Sequence, residues 1–283
     1  MDLAGFFVPT AGEVGLLEQV THYTLFATML AFLAASVFFL TTQNRVVPEH
    51  RASMVLHAII CLVAGVSYFF IQDHYRHYLQ VIATVGDPAE RLNLTREAYV
   101  AIGQTRYMDW TVTTPLLLLA NVLILRVRTR YVLAPVTVML LADVLMIFTG
   151  YLGENQITDG GTILAGPRLV WGTVSTVFYL IAVYILFTRF RAYQRAAQRE
   201  EERAFKTMAL ATVTTWGVYP VGYLLALITD FDLNWVHVAF SVADVVNKIG
   251  IGLVAFWAAA TVYEQRHPSQ DNPLVREQHP DVG

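Results

Sequence analysis

DVVNKIGIG, Asp244 to Gly252, lies in a run from Trp235 to Tyr263 that is otherwise apolar enough to cross a membrane. A charge held at mid-bilayer costs at least ~2.5 kcal/mol, yet this run carries Asp244 and Lys248 at i and i+4. With a rise of ~1.5 Å per residue, the two sit about 6 Å apart along one face of one helix. A lysine in that position either surrenders its proton or keeps a carboxylate beside it. The stretch therefore reads as an internal ion pair in a helical membrane bundle.

The rest of the chain agrees. Apolar residues make up 55% of the 283 and charged residues 14%, with a mean hydropathy of +0.48, a balance that no water-facing surface of this size needs. A spanning helix takes about 20 mostly apolar residues, and such runs are expected at Glu18 to Thr42, Met54 to Gln72, Tyr99 to Leu125, Tyr131 to Leu152, Leu169 to Thr188, Thr207 to Thr229 and Trp235 to Tyr263. The expected fold is an all-α membrane protein, a seven-transmembrane-helix bundle in one domain over 18–263. An outer segment, 1–17, precedes it, and a polar, disordered cytoplasmic tail, 264–283, follows.

Cations sort by side. Arg45, Arg51, Arg126, Arg128, Arg130, the run from Arg189 to Lys206, Arg266 and Arg276 fall at one end of the spans, and Arg76, Arg91, Arg96 and Arg168 at the other. The positive-inside rule puts the N-terminus outside and the C-terminus in the cytoplasm, in the inner (cell) membrane. RFRAYQRAAQREEERAFK, Arg189 to Lys206, reads as helix ends carried into solvent. GDPAERLNLT (Gly86 to Thr95) and GENQITDGGT (Gly153 to Thr162) read as polar outer loops. Asn93-Leu94-Thr95 fits a glycosylation triplet, but Thr95 is expected to cap the third span. Cys61 has no cysteine partner and is expected to pack as a small apolar residue. No basic patch with interleaved aromatics is present, which sets nucleic acid aside, and no metal ligand set is seen. The partner expected from composition is the lipid bilayer.

Inside the spans stand Arg106, Asp109, Asp143, Asp244 and Lys248. Structural ion pairing would explain any one of them. Arg106, Asp109 and Thr113, at i, i+3 and i+7 in RYMDWTVTTP, form a polar stripe on the third span to match Asp244 and Lys248 on the seventh. Together they make a set whose protonation states depend on one another, able to hold a lysine as a cation or as the protonated imine of an aldehyde.

Three segments in register, RYMDWTVTTPLLLL (Arg106 to Leu119), WGVYPVGY (Trp216 to Tyr223) and DVVNK (Asp244 to Lys248), closely resemble the microbial rhodopsins. The resemblance runs from the first span to Tyr263. It implies a light-driven ion transporter rather than an enzyme, with all-trans retinal bound covalently at Lys248 and Asp109 and Asp244 as counterions. It further implies aromatic walls at Trp110, Trp216, Tyr219, Pro220 and Tyr223, with Met146 and Gly150 near the ring and Asp143 tied to Thr114. Leu117 stands where leucine implies green absorption. Gly172 replaces a bulky residue of some relatives, which implies either close helix packing or, as in xanthorhodopsins, a window for a carotenoid antenna. A trimer or pentamer is implied as well.

The triplet Asp109, Thr113, Ala120 sorts the transport. Aspartate at the first position implies proton cargo, accepted by Asp109. Alanine at the third, about 16 Å along the helix, replaces the carboxylate that usually reloads the lysine. Xenorhodopsins, which carry protons inward, share this triplet but have proline where this chain has Asp244. Outward pumping is expected, with reloading from the cytoplasmic medium, an exit that includes Asp230, Asp232 or His237, and His57 either packed or relaying. The proteorhodopsin histidine of the second span is replaced, with Phe70 expected in its place. Inward pumping, a sensor or a light-gated channel remain the alternatives.

Overall fold

The computed structural model describes residues 8–127, 129–158, 161–190, 193 and 197–267. After one turn at Ala11–Val14, seven long helical segments follow: α1 (Leu16–Thr42), α2 (Arg51–Ile82), α3 (Pro88–Leu123), α4 (Thr129–Glu154), α5 (Ala165–Arg189), α6 and α7. Helix α6 runs over Arg199–Trp216 and Val218–Leu225; α7 runs over Asn234–Val245, a π-helical turn Val246–Gly250, and Ile251–Arg266. Each helix packs on the next in sequence, and α7 returns to α1, which closes a ring.

This ring turns the usual pattern inside out. Phe26, Leu40, Phe69, Phe148, Leu180 and Trp257 face outward, while Arg106, Asp109, Asp143, Asp244 and Lys248 are buried. Apolar side chains outside and charges inside is the arrangement a hydrocarbon solvent favours. Five of the segments are long and apolar enough to span by composition alone. The exceptions are α3, diluted by Arg106, Asp109, its threonines and Asn121, and α6, which is split.

Local chemistry sets the ends. Asp87 accepts from the Glu90 backbone N–H (3.2 Å) and Pro88 occupies the first helical position, so α3 begins well before the expected loop ends. Thr95 consequently lies inside α3 rather than capping it, its hydroxyl donating to the Arg91 carbonyl (2.8 Å). Of the stretch Gly153 to Thr162, expected as an outer loop, Gly153 and Glu154 belong to α4, and an isolated bridge joins Ile157 to Ile163. Pro220 lacks the N–H that would bond the Trp216 carbonyl, and α6 breaks at Gly217. The run from Arg189 to Lys206 is not solvated throughout, because Glu201 is buried. Helix α7 extends to Arg266, three residues past the expected end; the expected tail from residue 268 onward lies outside the described residues.

Candidate functional site

The π-helical turn adds a residue to the α7 spiral at Lys248 and re-aims it, as such turns do at functional sites. Its Nζ lies 2.5 Å from Asp109 Oδ2 on α3 and 3.4 Å from Asp244 Oδ1, one turn away on α7. All three residues are buried, as is Arg106. Two cations and two carboxylates thus balance inside the bundle.

The carboxylates are held unequally. Asp244 Oδ1 accepts from Tyr219 Oη (2.6 Å) and Trp110 Nε1 (3.4 Å), and Oδ2 from Tyr68 Oη (2.9 Å) and Arg106 Nη1 (3.5 Å). Arg106 also donates to Tyr68 Oη (2.7 Å) and Ser241 Oγ (3.4 Å). Asp109 has Lys248 on one oxygen and no hydrogen-bond partner on the other. Thr113, one turn away, donates to the Asp109 backbone carbonyl (3.0 Å) rather than to the carboxylate.

Beside Lys248 lies a cavity of about 380 Å³, within the range of ~300–1,000 Å³ usual for small-molecule sites. Trp110, Trp216, Tyr219, Pro220 and Tyr223 line it, with Met146, Gly150 and Thr114 on the α3 and α4 side. Thr114 donates to Asp143 (2.8 Å), linking α3 to α4. Leu117 and Asp143 are buried but are not among the lining residues. A primary amine on the wall of a narrow aromatic cavity fits an elongated apolar aldehyde, since a lysine amine forms an imine with a carbonyl carbon. The residues present therefore suit retinal.

At Gly172 the space is spoken for: a Cβ there would lie 2.8 Å from the Tyr223 ring. Tyr223 donates to the Arg168 carbonyl (2.5 Å), and the Arg168 guanidinium lies 4.2 Å from the ring centroid. Arg168, expected among the outer loop cations, is instead buried and paired with Glu154 (2.8 Å). Their opposite charges at facing ends of α4 and α5 were the signal in the sequence.

Other expected members scatter. His237 is buried and lines the same cavity, Asp230 is exposed, and Asp232 accepts from the Asn234 backbone N–H (2.9 Å). His57 is buried, and neither ring nitrogen meets a hydrogen-bonding group. Phe70 is half exposed on the outer face of α2 and does not face the charges. The α2 side chain that reaches them is Tyr68, which periodicity alone does not separate from core.

Known proteins place this geometry. The green-light absorbing proteorhodopsin of Gamma-proteobacterium EBAC31A08 is 26% identical over 248 residues, covering 86% of this chain and 87% of the relative. Archaerhodopsin-2 of Halobacterium sp. (strain aus-2) is 30% identical over 218 residues, 75% of each chain. The crystallographic structure of xanthorhodopsin, described as a light-driven ion pump with dual chromophore, matches with a TM-score of 0.72 at 25% identity, covering 92% of this chain and 99% of that one. The family model for bacteriorhodopsin-like protein matches residues 18–262. A ring of seven helices closed around a lysine with two carboxylates, matched by that model along most of its length, makes this chain a member of the bacteriorhodopsin-like family, a microbial type 1 rhodopsin.

Proposed function

We propose that this protein is a light-driven outward proton pump of the cell membrane, with its arginine-rich end in the cytoplasm and retinal joined to Lys248. The observation that carries the reading is the inequality of the two carboxylates. Asp244 is fixed as an anion by tyrosines, a tryptophan, Arg106 and Lys248, whereas Asp109 depends on Lys248 alone. A proton leaving Nζ therefore goes to Asp109, 2.5 Å away, and the transfer neutralises both members of the pair that holds Asp109 ionised. Retinal, when bound, supplies the light absorption and the change of shape that drives the proton off the nitrogen.

Arg106, tied to Asp244 and Tyr68, carries positive charge toward the end away from the arginine-rich one and favours the onward loss of a proton on that side. His237, in the same cavity beyond Arg106, is the member of the expected exit group placed to take part. Inward pumping, the rival direction, is disfavoured by retention of Asp244 with its full set of donors. A carotenoid at Gly172 would have to lie over the Tyr223 ring, so close packing is the role that the geometry supports there. The exposed apolar faces suit lipid or further copies of the chain.

Illumination of cells in weakly buffered medium tests direction. The medium should acidify, and a protonophore should abolish the change; alkalinisation would mean inward transport, and a steady pH would mean a sensor.

Reloading gives a second prediction. Ala120 is buried on α3 toward the arginine-rich end and has no proton to give, so Lys248 must be reprotonated from the medium. Fewer protons at higher pH mean a slower step, so dark-state recovery after a flash should slow as pH rises, in proportion to the falling proton concentration. Azide, a small diffusible acid, should restore speed. Recovery that ignores pH without azide would remove the missing-donor account.

A further inference from the structure

The arginine-rich end holds a further charge cluster, buried at His50 and Glu201, that the mechanism above leaves unused. Glu201, in the first turn of α6, is 2% exposed, and its Oε1 lies 3.0 Å from His50 Nε2 and 3.4 Å from Arg126 Nη1. Arg126 also reaches Glu49 (3.1 Å), and Glu49 reaches Arg266 (3.0 Å). His50 immediately precedes α2, Arg126 follows α3, Glu201 opens α6 and Arg266 closes α7. One connected set of charges therefore ties four helix ends. Arg126 has φ +52°, an unfavourable conformation for a residue with a side chain, kept only where its surroundings hold it. Burial raises the Glu201 carboxyl, but hydrogen bonds from His50 and the Gln198 backbone, with the His50 and Arg126 charges, outweigh it and hold the group below the usual glutamate range.

Below this cluster, α2 presents Ser53, His57 and Cys61 at three, seven and eleven residues beyond His50, all buried. Ser53 Oγ and both His57 nitrogens have no hydrogen-bond partner. His57 packs against α7 one turn beyond Lys248, where a Cβ on Gly252 would lie 3.1 Å from its Nδ1. A polar stripe thus leads from the cluster toward the site. Helix α6 is meanwhile broken at Gly217, next to Trp216 and Tyr219 of the cavity wall, so its half from Arg199 to Trp216 has a pivot at the site and a tether at Glu201.

We propose that His50, Glu201 and Arg126 form a latch that holds α6 against α2 and α3, and that its release admits the proton that reloads Lys248. Glu201 and His50 are positioning residues, acting through the approach of α6. The inference rests on the pump reading above.

Glu201→Gln keeps the side-chain oxygen that accepts from the Gln198 backbone N–H (3.2 Å) while removing the charge; His50→Leu removes the nitrogen that meets Glu201 from the α2 side. Each should speed dark-state recovery at pH 8 several-fold and leave the absorption maximum and the rate of proton loss from Lys248 unchanged. The double variant should be no faster than the faster single one, because both act on one contact. A dark measurement stands apart from transport: Cys61, the only cysteine of the chain, should react with a small maleimide several-fold faster in both variants. Should E201Q fail to fold, H50L alone carries both measurements. Wild-type recovery and labelling in a coloured variant would overturn the latch, and so would slower recovery with unchanged labelling, which would make Glu201 a proton carrier. A wild-type protein without colour or photocycle would count instead against the pump reading.

Discussion

Lys248→Ala protein mixed with all-trans retinal is expected to stay colourless, and the wild type to take up the aldehyde and absorb green light. Lys248 Nζ is the amine that reaches the aromatic cavity, and alanine has no atom there to bond the carbonyl carbon. The substitution also strips Asp109 of its one hydrogen-bond partner and Asp244 of one of its partners. Removing one member of a buried pair costs about 3–5 kcal/mol because the other charge stays behind, so lost colour could reflect lost fold. The double variant K248A/D109N separates the two. It removes the stranded carboxylate together with the amine, so its thermal unfolding midpoint should return most of the way to wild type while the protein remains colourless. Absorption spectra and melting curves on the same samples are the measurement. A coloured single variant would end the assignment of Lys248, and a double variant that regained colour would do the same.

How much of this was legible in the residues depended on what kind of signal each carried. The first, second, fourth, fifth and seventh helices announced themselves as apolar runs, and their cores lie within the expected bounds. Helix α3 was legible too, as the run from Tyr99 to Leu125, although Arg106 and Asp109 dilute the signal that marks a span. Helix ends were hidden because caps and prolines, not hydropathy, set them, and the Asp87-Pro88 start carried Thr95 into a helix interior. Lys248 with Asp244 was plain, because an i,i+4 charge pair in an apolar run has few readings. Tyr68 was not, since a tyrosine in a spanning helix looks like any other core aromatic until tertiary packing sets its hydroxyl 2.9 Å from Asp244. Arg168 and Glu201 misled for the opposite reason. Each sits in a stretch polar enough to be solvated, and its burial depends on a partner, Glu154 or His50, supplied by another helix.

Asp109→Asn should reduce light-driven acidification by at least about 100-fold, the lower end of what a positioned proton-transfer group contributes. Asparagine keeps the shape of the side chain and its approach to Lys248 but has no basic oxygen, so the proton on Nζ has nowhere to go along the 2.5 Å contact. Asp244 does not take over. Its oxygens already accept from Tyr219, Trp110, Tyr68 and Arg106, and a proton arriving there would displace donors rather than meet a free lone pair. The colour should move as well. A carboxylate beside the nitrogen stabilises positive charge localised there, which is a feature of the ground state more than of the excited state, so its loss narrows the gap and shifts absorption to longer wavelength. Asp244→Asn should behave differently: the charge that pairs with Arg106 and Lys248 is lost, one of the two acceptor oxygens becomes an amide that faces other donors, and the first effect is a lower unfolding midpoint. Flash-induced absorbance changes reporting the proton on Lys248, taken with pH traces from illuminated cells, decide the matter. If D109N still acidified the medium at wild-type rate, the acceptor would be another group, and the inequality of the two carboxylates would have been misread.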